Sequence, residues 1–251
     1  MFVPTGYFAS GDVWTPADAT GIKYWWRADS GVTLSGTDVT AWEDQIAGHT
    51  LTPSATSPKF VASDTSMNNQ PAIEFGSVDT SEVLANTTEV AAGGEGFAWF
   101  VISTTTNADG GFQILGGFKG LLGVGGHEMV IETNNPSYSN SFTTYTYEVG
   151  PSGGDETNTG VSVSAPEKSW VGIGHDNATG QNYFYRNGTS YLIGVGGDNP
   201  DTLAFCVGNY GTGGGLEYYG NVLECGWLSR EYWTAPDAAQ FSAYVSTRYG
   251  I

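Results

Sequence analysis

Basic residues are what this chain most lacks. Only 8 Lys and Arg stand against 26 Asp and Glu, a formal net charge of -18. A field of that sign repels phosphate backbones and anionic membranes, so no nucleic acid is expected as a partner. The acidity is read as a solvated surface, with bound Ca²⁺ and adaptation to saline surroundings as alternatives. Cysteine is nearly absent. Cys206 and Cys225 are too few for a disulfide framework and lack zinc-site spacing; they are read as buried thiols, with a bridge left open if their strands are neighbours. No sustained apolar run occurs and the first basic residue is Lys23, so neither membrane insertion nor a secretory signal is expected. Charge runs, Pro-rich spacers and heptads are missing too, which makes one domain the expectation for 251 residues.

What is abundant is glycine and aromatic side chain: Gly 37, Tyr 14, Phe 12 and Trp 8. That balance predicts many strands joined by tight turns, an all-β chain. Short apolar segments bounded by turn residues recur throughout, among them IKYWWR, FAWFVIS, YFYRNGTSYLIG and VLECGWL. Asn187-Gly188 supplies the positive-φ pair that a type I′ turn needs, so Tyr183 to Ile193 reads as a hairpin. The adjacent Trp25 and Trp26 fit a strand covered on both faces, one ring buried on each side; an exposed stacking platform is the alternative. Near the end, Phe241, Tyr244, Val245 and Tyr249 share one face at helical spacing, Thr234 stands at the N-cap and Gly250 at the stop. This predicts a short C-terminal helix packed on the strands.

Four stretches carry a resemblance. IKYWWRADSGVT followed by DVTAWEDQIAG is similar to the opening of the concanavalin A-like lectin/glucanase superfamily, in particular its laminin-G-like jelly rolls in phage virion proteins and bacterial surface proteins. The matching positions are Trp26, Ala28, Asp29, Gly31, Val32, Val39, Trp42, Asp44, Gln45 and Gly48. QPAIEF resembles a strand at the first sheet edge, and YFYRNGT the hairpin of that superfamily. GNVLECGWLSREYWTAPDAAQFSAYVSTRYG resembles its closing strand and helix, through Gly220, Glu224, Leu228, Ser229, Tyr244 and Tyr249. The resemblance implies a jelly-roll β-sandwich of two antiparallel sheets over residues 21–251; residues 1–20, rich in apolar side chains but carrying Pro4, Pro16 and two glycines, read as an extended docking arm. It also implies that Trp26 lies inside the sandwich. Residues 105–165 match no part of the pattern.

Chemistry is sparsely encoded. Members of the superfamily that hydrolyse β-glucans carry E-x-D-x-x-E, which sets two carboxylates on one strand face; this chain has no such motif, so no enzyme is expected. Glu224 stands alone in an apolar strand and is read as making a structural hydrogen-bond or ion-pair contact, an Arg among its candidate partners, rather than as catalytic. His49, His127 and His175 have no metal-site spacing. Aromatics beside amides in glycine-rich loops, Tyr138, Tyr210, Tyr218 and Tyr219, are the candidate glycan-stacking residues. Asp198, Asn199 and Asp201 offer hard oxygens at near-alternating positions and are the candidate Ca²⁺ ligands. Phe2, Val3, Tyr7, Phe8 and Trp14 give the arm an apolar character that fits burial against a neighbour. The resemblance implies a non-enzymatic virion protein, a capsid decoration, fibre or neck-associated module, oligomeric on the particle. Its expected partners are other virion proteins and host-surface glycans. A carbohydrate-binding adhesin of a bacterial surface and a glycoside hydrolase are the alternatives.

Overall fold

The computed structural model describes residues 14–54, 56–76, 82–86, 90–91, 96–105, 113–119, 128–135, 141–147, 155–162, 166–176, 178–195, 202–208, 218–229 and 235–251. In chain order the strands are β1 Ile22–Arg27, β2 Val32–Ser35, β3 Asp38–Glu43, β4 Thr50–Pro53, β5 Lys59–Asp64, β6 Gln70–Phe75, β7 Leu84–Ala85, β8 Val90–Ala91 and β9 Gly96–Thr105. There follow β10 Gln113–Lys119, β11 Glu128–Asn135, β12 Ser141–Tyr147, β13 Asp155–Ser162, β14 Glu167–Asp176, β15 Gln181–Arg186, β16 Thr189–Val195, β17 Thr202–Val207 and β18 Gly220–Leu228, then the helix α1 Ala235–Tyr249.

All ladders between these strands are antiparallel. One sheet runs β16, β15, β14, β9, β18; beyond β18 it continues with β6 alongside Gly220–Val222 and with β1 alongside Glu224–Leu228. β5, β3 and β2 extend it from β6. The other sheet runs β13, β12, β11, β10, β17, β7, β4. β4 also pairs with β3 and so joins the two along one side. The expected sandwich with a C-terminal helix is what the chain forms.

Strand alternation divides its side chains between two cores. Between the sheets lie Trp26, Trp42, Phe75, Val101, Ile173 and Phe184 of the first sheet against Leu115, Phe205 and Val207 of the second. Trp26 is 0% exposed and stacks on Phe205 across the gap, with centroids 5.3 Å apart. On the outer face of the first sheet, Trp25, Phe100, Ile102 and Trp170 meet Phe241, Tyr244, Val245 and Tyr249 of α1. The paired tryptophans are thus one ring per core, and the platform alternative is set aside.

The opening motif is a set of backbone constraints. Gly31 has φ +75, and a Cβ there would come within 2.3 Å of the Glu43 carbonyl oxygen, so only glycine fits. The Asp44 carboxylate accepts hydrogen bonds from the N–H groups of Ile46 and Ala47, and the Trp42 indole donates to the Arg27 carbonyl at 2.8 Å. The Asn187-Gly188 turn has φ 47 and φ 86, as a type I′ turn requires, and its glycine lies against Ser242 of α1. Cys206 and Cys225 are buried thiols in different sheets, with no disulfide between them.

The expected arm needs a correction. Trp14 packs edge-on against Phe241 and Tyr244, Pro16–Asp18 form a 3-10 turn, and Ala19 is buried in the helix-side core. Residues 14–20 therefore belong to the folded domain, because the apolar groups of this segment find cover on the chain's own helix. Phe2, Val3, Tyr7 and Phe8 lie outside the described residues.

Candidate functional site

The ladder registers bring many strand ends to one end of the sandwich. Phe75 and Thr105 both sit opposite Gly220, and Glu167 sits opposite Thr105. In the other sheet, Gln113 pairs with Thr133, Asn135 with Ser141, Ser141 with Ser162, and Val207 with both Leu84 and Gly116. The Asn187-Gly188 turn closes next to Trp170, whose N–H it holds through Asn187 Oδ1 at 2.9 Å. Segments far apart in sequence thus begin and end around one rim, which is where a scaffold of this kind presents variable loops.

Close approaches pin the floor of this rim. Gly208, at φ +90, lies on the Phe75 ring so closely that a Cβ would come within 2.1 Å of it. Gly76, at φ +77, leaves the same kind of space for the Tyr219 ring, and its N–H donates to the buried Glu82 carboxylate at 2.6 Å. The Tyr218 hydroxyl and Thr105 Oγ1 share a 3.1 Å hydrogen bond. Burial pushes the Tyr218 phenol up to about 12, with hydrogen bonds from Ser103 and Thr105 opposing and the Glu167 charge reinforcing the shift. Arg186 closes the arrangement, pairing with the buried Glu167 at 2.6 Å and donating to the Ser162 carbonyl at 3.3 Å.

Of the candidate glycan-stacking residues, Tyr218 requires correction: its ring is 0% exposed inside the sandwich and offers no face to a sugar. The reason is periodicity, since Tyr218 continues inward the alternation that buries Val222 between the sheets. Tyr219, its neighbour, is half-buried at the rim. Tyr138 and Tyr210 lie outside the described residues. So do Asp198, Asn199 and Asp201; the strands bracketing them stop at Val195 and begin at Thr202, at the opposite end from Gly220. Among the described residues no group of three His, Cys, Asp or Glu gathers as metal ligands. Glu82, Glu167 and Arg186 were not singled out by sequence; Glu82 gives no local signal, whereas Arg186 directly precedes the hairpin turn.

Glu224 is a buried carboxylate of another kind. It is 0% exposed beneath α1 and accepts hydrogen bonds from Trp25 Nε1 at 2.8 Å, from the Tyr244 hydroxyl at 2.6 Å and from the Tyr249 hydroxyl. Arg248 Nε lies 3.2 Å away. Desolvation raises its pKa, while the hydrogen bonds from Tyr244, Tyr249 and Trp25 and the Arg248 charge oppose this. Arg248 also pairs with Asp29, which Arg27 holds at 2.7 Å. This is the structural Arg partner expected for Glu224. His175 is buried with its Nδ1 2.8 Å from Asn182 Oδ1, and His49 stands edge-on to Tyr24, so neither joins Glu224.

No family model matches the chain, and no curated protein matches it in sequence. Solved structures do match in shape. Domain 4 of AbnA, a GH43 extracellular arabinanase from Geobacillus stearothermophilus, in complex with arabinotriose, matches with TM-score 0.58 and 10% identity over 88% of this chain and 98% of that one. A Trypanosoma rangeli sialidase in complex with the inhibitor DANA matches with TM-score 0.58 and 14% identity, over 89% of this chain and 33% of that one. A heptameric SAP-like pentraxin from Limulus polyphemus matches with TM-score 0.52 and 10% identity, over 68% and 81%. The chain therefore spans 33% of the sialidase's length. At such identities the likeness is one of fold alone, an antiparallel β-sandwich of jelly-roll type.

Proposed function

We propose that this chain is a non-catalytic glycan-binding module whose ligand sits on the rim at Gly76 and Tyr219, above the buried Thr105 and Gly208. The observation that carries this reading is the likeness to the arabinotriose-bound arabinanase domain, which extends over 98% of that domain rather than over a fragment of it. Tyr219 is the described residue of the right chemistry. Tyr219 is partly exposed, and a phenol ring packed beside a glycine offers apolar surface on which a sugar ring can stack. The non-catalytic part is supported by the sealing of Glu224 under α1 and by the lack of an E-x-D-x-x-E strand. Glycoside hydrolysis needs two carboxyl groups about 5 to 9 Å apart around an accessible bond.

A glycan array followed by titration of the hits tests the reading, with Tyr219→Ala alongside. Binding of at least one glycan, loss of about tenfold in affinity for the variant, and no release of reducing sugar are the expected results. Hydrolytic turnover, or an array with no hit, would overturn it.

We further propose that the module is displayed on a virion, held by other virion proteins, with host-surface glycans as its ligands. This rests on the resemblance of the opening and closing motifs to jelly rolls of phage virion proteins. Mass spectrometry of purified particles tests it; recovery from a bacterial surface fraction and not from particles would favour an adhesin.

A further inference from the structure

We propose that the rim takes uncharged, hydroxyl-rich glycans and excludes glycans bearing carboxylate, sulfate or phosphate groups; the proposal rests on the glycan-binding reading of the same rim. The first ground is the long-range field. A ligand approaching a chain of net charge -18 meets repulsion if it is anionic and none if it is neutral.

The second ground is the commitment of the cations that would have to answer an anion locally. Recognition of a carboxylate or phosphate is strongest with a guanidinium that can turn its paired N–H groups to the ligand. Among the described side chains, Arg27 pairs with Asp29, Arg248 pairs with Asp29 and Glu224, and Lys59 pairs with Asp38. Arg186 is the guanidinium that reaches the rim, and it is tied to Glu167 at 2.6 Å. Glu167 is buried, so turning Arg186 towards a ligand would strip a desolvated carboxylate of its cation. The rim's arginine is therefore already spent on the protein. Lys168, exposed beside Glu167, is a single hydrated point charge set against the whole field. Hydroxyl groups face no such obstacle, because they donate to carboxylates and carbonyls and accept from backbone N–H groups alike.

The experiment pairs each neutral glycan that binds with congeners carrying sialic acid, uronate or phosphate, titrated at about 0.05 M and 0.5 M NaCl. A neutral ligand should hold its affinity within about twofold across that range. Its acidic congener should bind at least about tenfold more weakly at low salt and recover part of the loss at high salt. Lys168→Glu should leave the neutral affinity within about twofold. Tighter binding of an acidic congener, weakened by salt or by Lys168→Glu, would overturn the proposal while leaving glycan binding in place. Absence of binding to every glycan of both classes would overturn it together with the reading on which it rests.

Discussion

The indole of Trp25 donates a 2.8 Å hydrogen bond to Glu224, joining the first strand of the sheet to a carboxylate that has no contact with solvent. Tyr244 and Tyr249 reach the same carboxylate from the helix, so one acidic group fastens β1, β18 and α1 together. Removing it should be costly. Glu224→Ala strands the Trp25 N–H and two hydroxyl groups and leaves Arg248 with Asp29 alone as its carboxylate partner, and should lower stability by about 3–5 kcal/mol. Glu224→Gln keeps an acceptor and sheds the charge, and should cost only about 1–3 kcal/mol. Urea unfolding followed by tryptophan fluorescence gives both values; equal losses would show that hydrogen-bond geometry is irrelevant at this position.

Asp29 and Glu224 should impose opposite pH dependences. Burial acts to raise the Asp29 carboxyl, but hydrogen bonds and charge from Arg27 and Arg248 outweigh it and hold the group below its ordinary 3.8. Its contribution is present above that value and is lost as pH falls through the depressed pKa. Glu224 lies above its ordinary 4.5, so its contribution is present below 4.5 and is lost as pH rises through the raised pKa. Asp29→Asn should flatten the acid limb of the stability profile below 3.8, and Glu224→Gln should remove a decline above 4.5. Stability profiles across the acid range check both signs.

Trp26→Ala should cost about 3–5 kcal/mol, the range for emptying a buried aromatic site. The ring is fully enclosed and stacked on Phe205 of the opposite sheet. Thermal and urea unfolding measure the loss, and a variant as stable as the parent would show that the two sheets do not depend on this contact.

The adjacent tyrosines should separate stability from binding. Tyr218→Phe removes the hydrogen bonds that its hydroxyl shares with Thr105 and Ser103 and should cost about 1–2 kcal/mol with unchanged glycan affinity. Tyr219→Ala should weaken glycan binding in a protein that still folds, with a modest fall in melting temperature from the ring lost over Gly76. Parallel melting curves and titrations of the two variants decide it.

What was legible in the sequence was local. Asn187-Gly188 determines its turn through backbone sterics, the helix shows its buried face at helical spacing, and Trp25-Trp26 obeys strand alternation in two covered directions. The opening motif was legible for the same reason: Gly31 and Asp44 act within a few residues of themselves or across one hairpin. The rim was not, because Phe75, Thr105, Glu167 and Gly208 meet only through ladder registers that no short stretch encodes. Tyr218 lies between these cases. The alternation of VLECGWL, carried back through Gly220, points Tyr218 inward with Val222, whereas glycine-rich surroundings alone make it look exposed. Glu82 offered nothing, since a backbone N–H such as that of Gly76, which it holds, leaves no mark in the sequence.

Trp14 and Ile251 pack against the same helix-side core. The described residues consequently begin and end on one flank, so a tether attached at Trp14 or at Ile251 pulls on the same side. Immobilised through either one, the molecule would turn its second sheet away from the support.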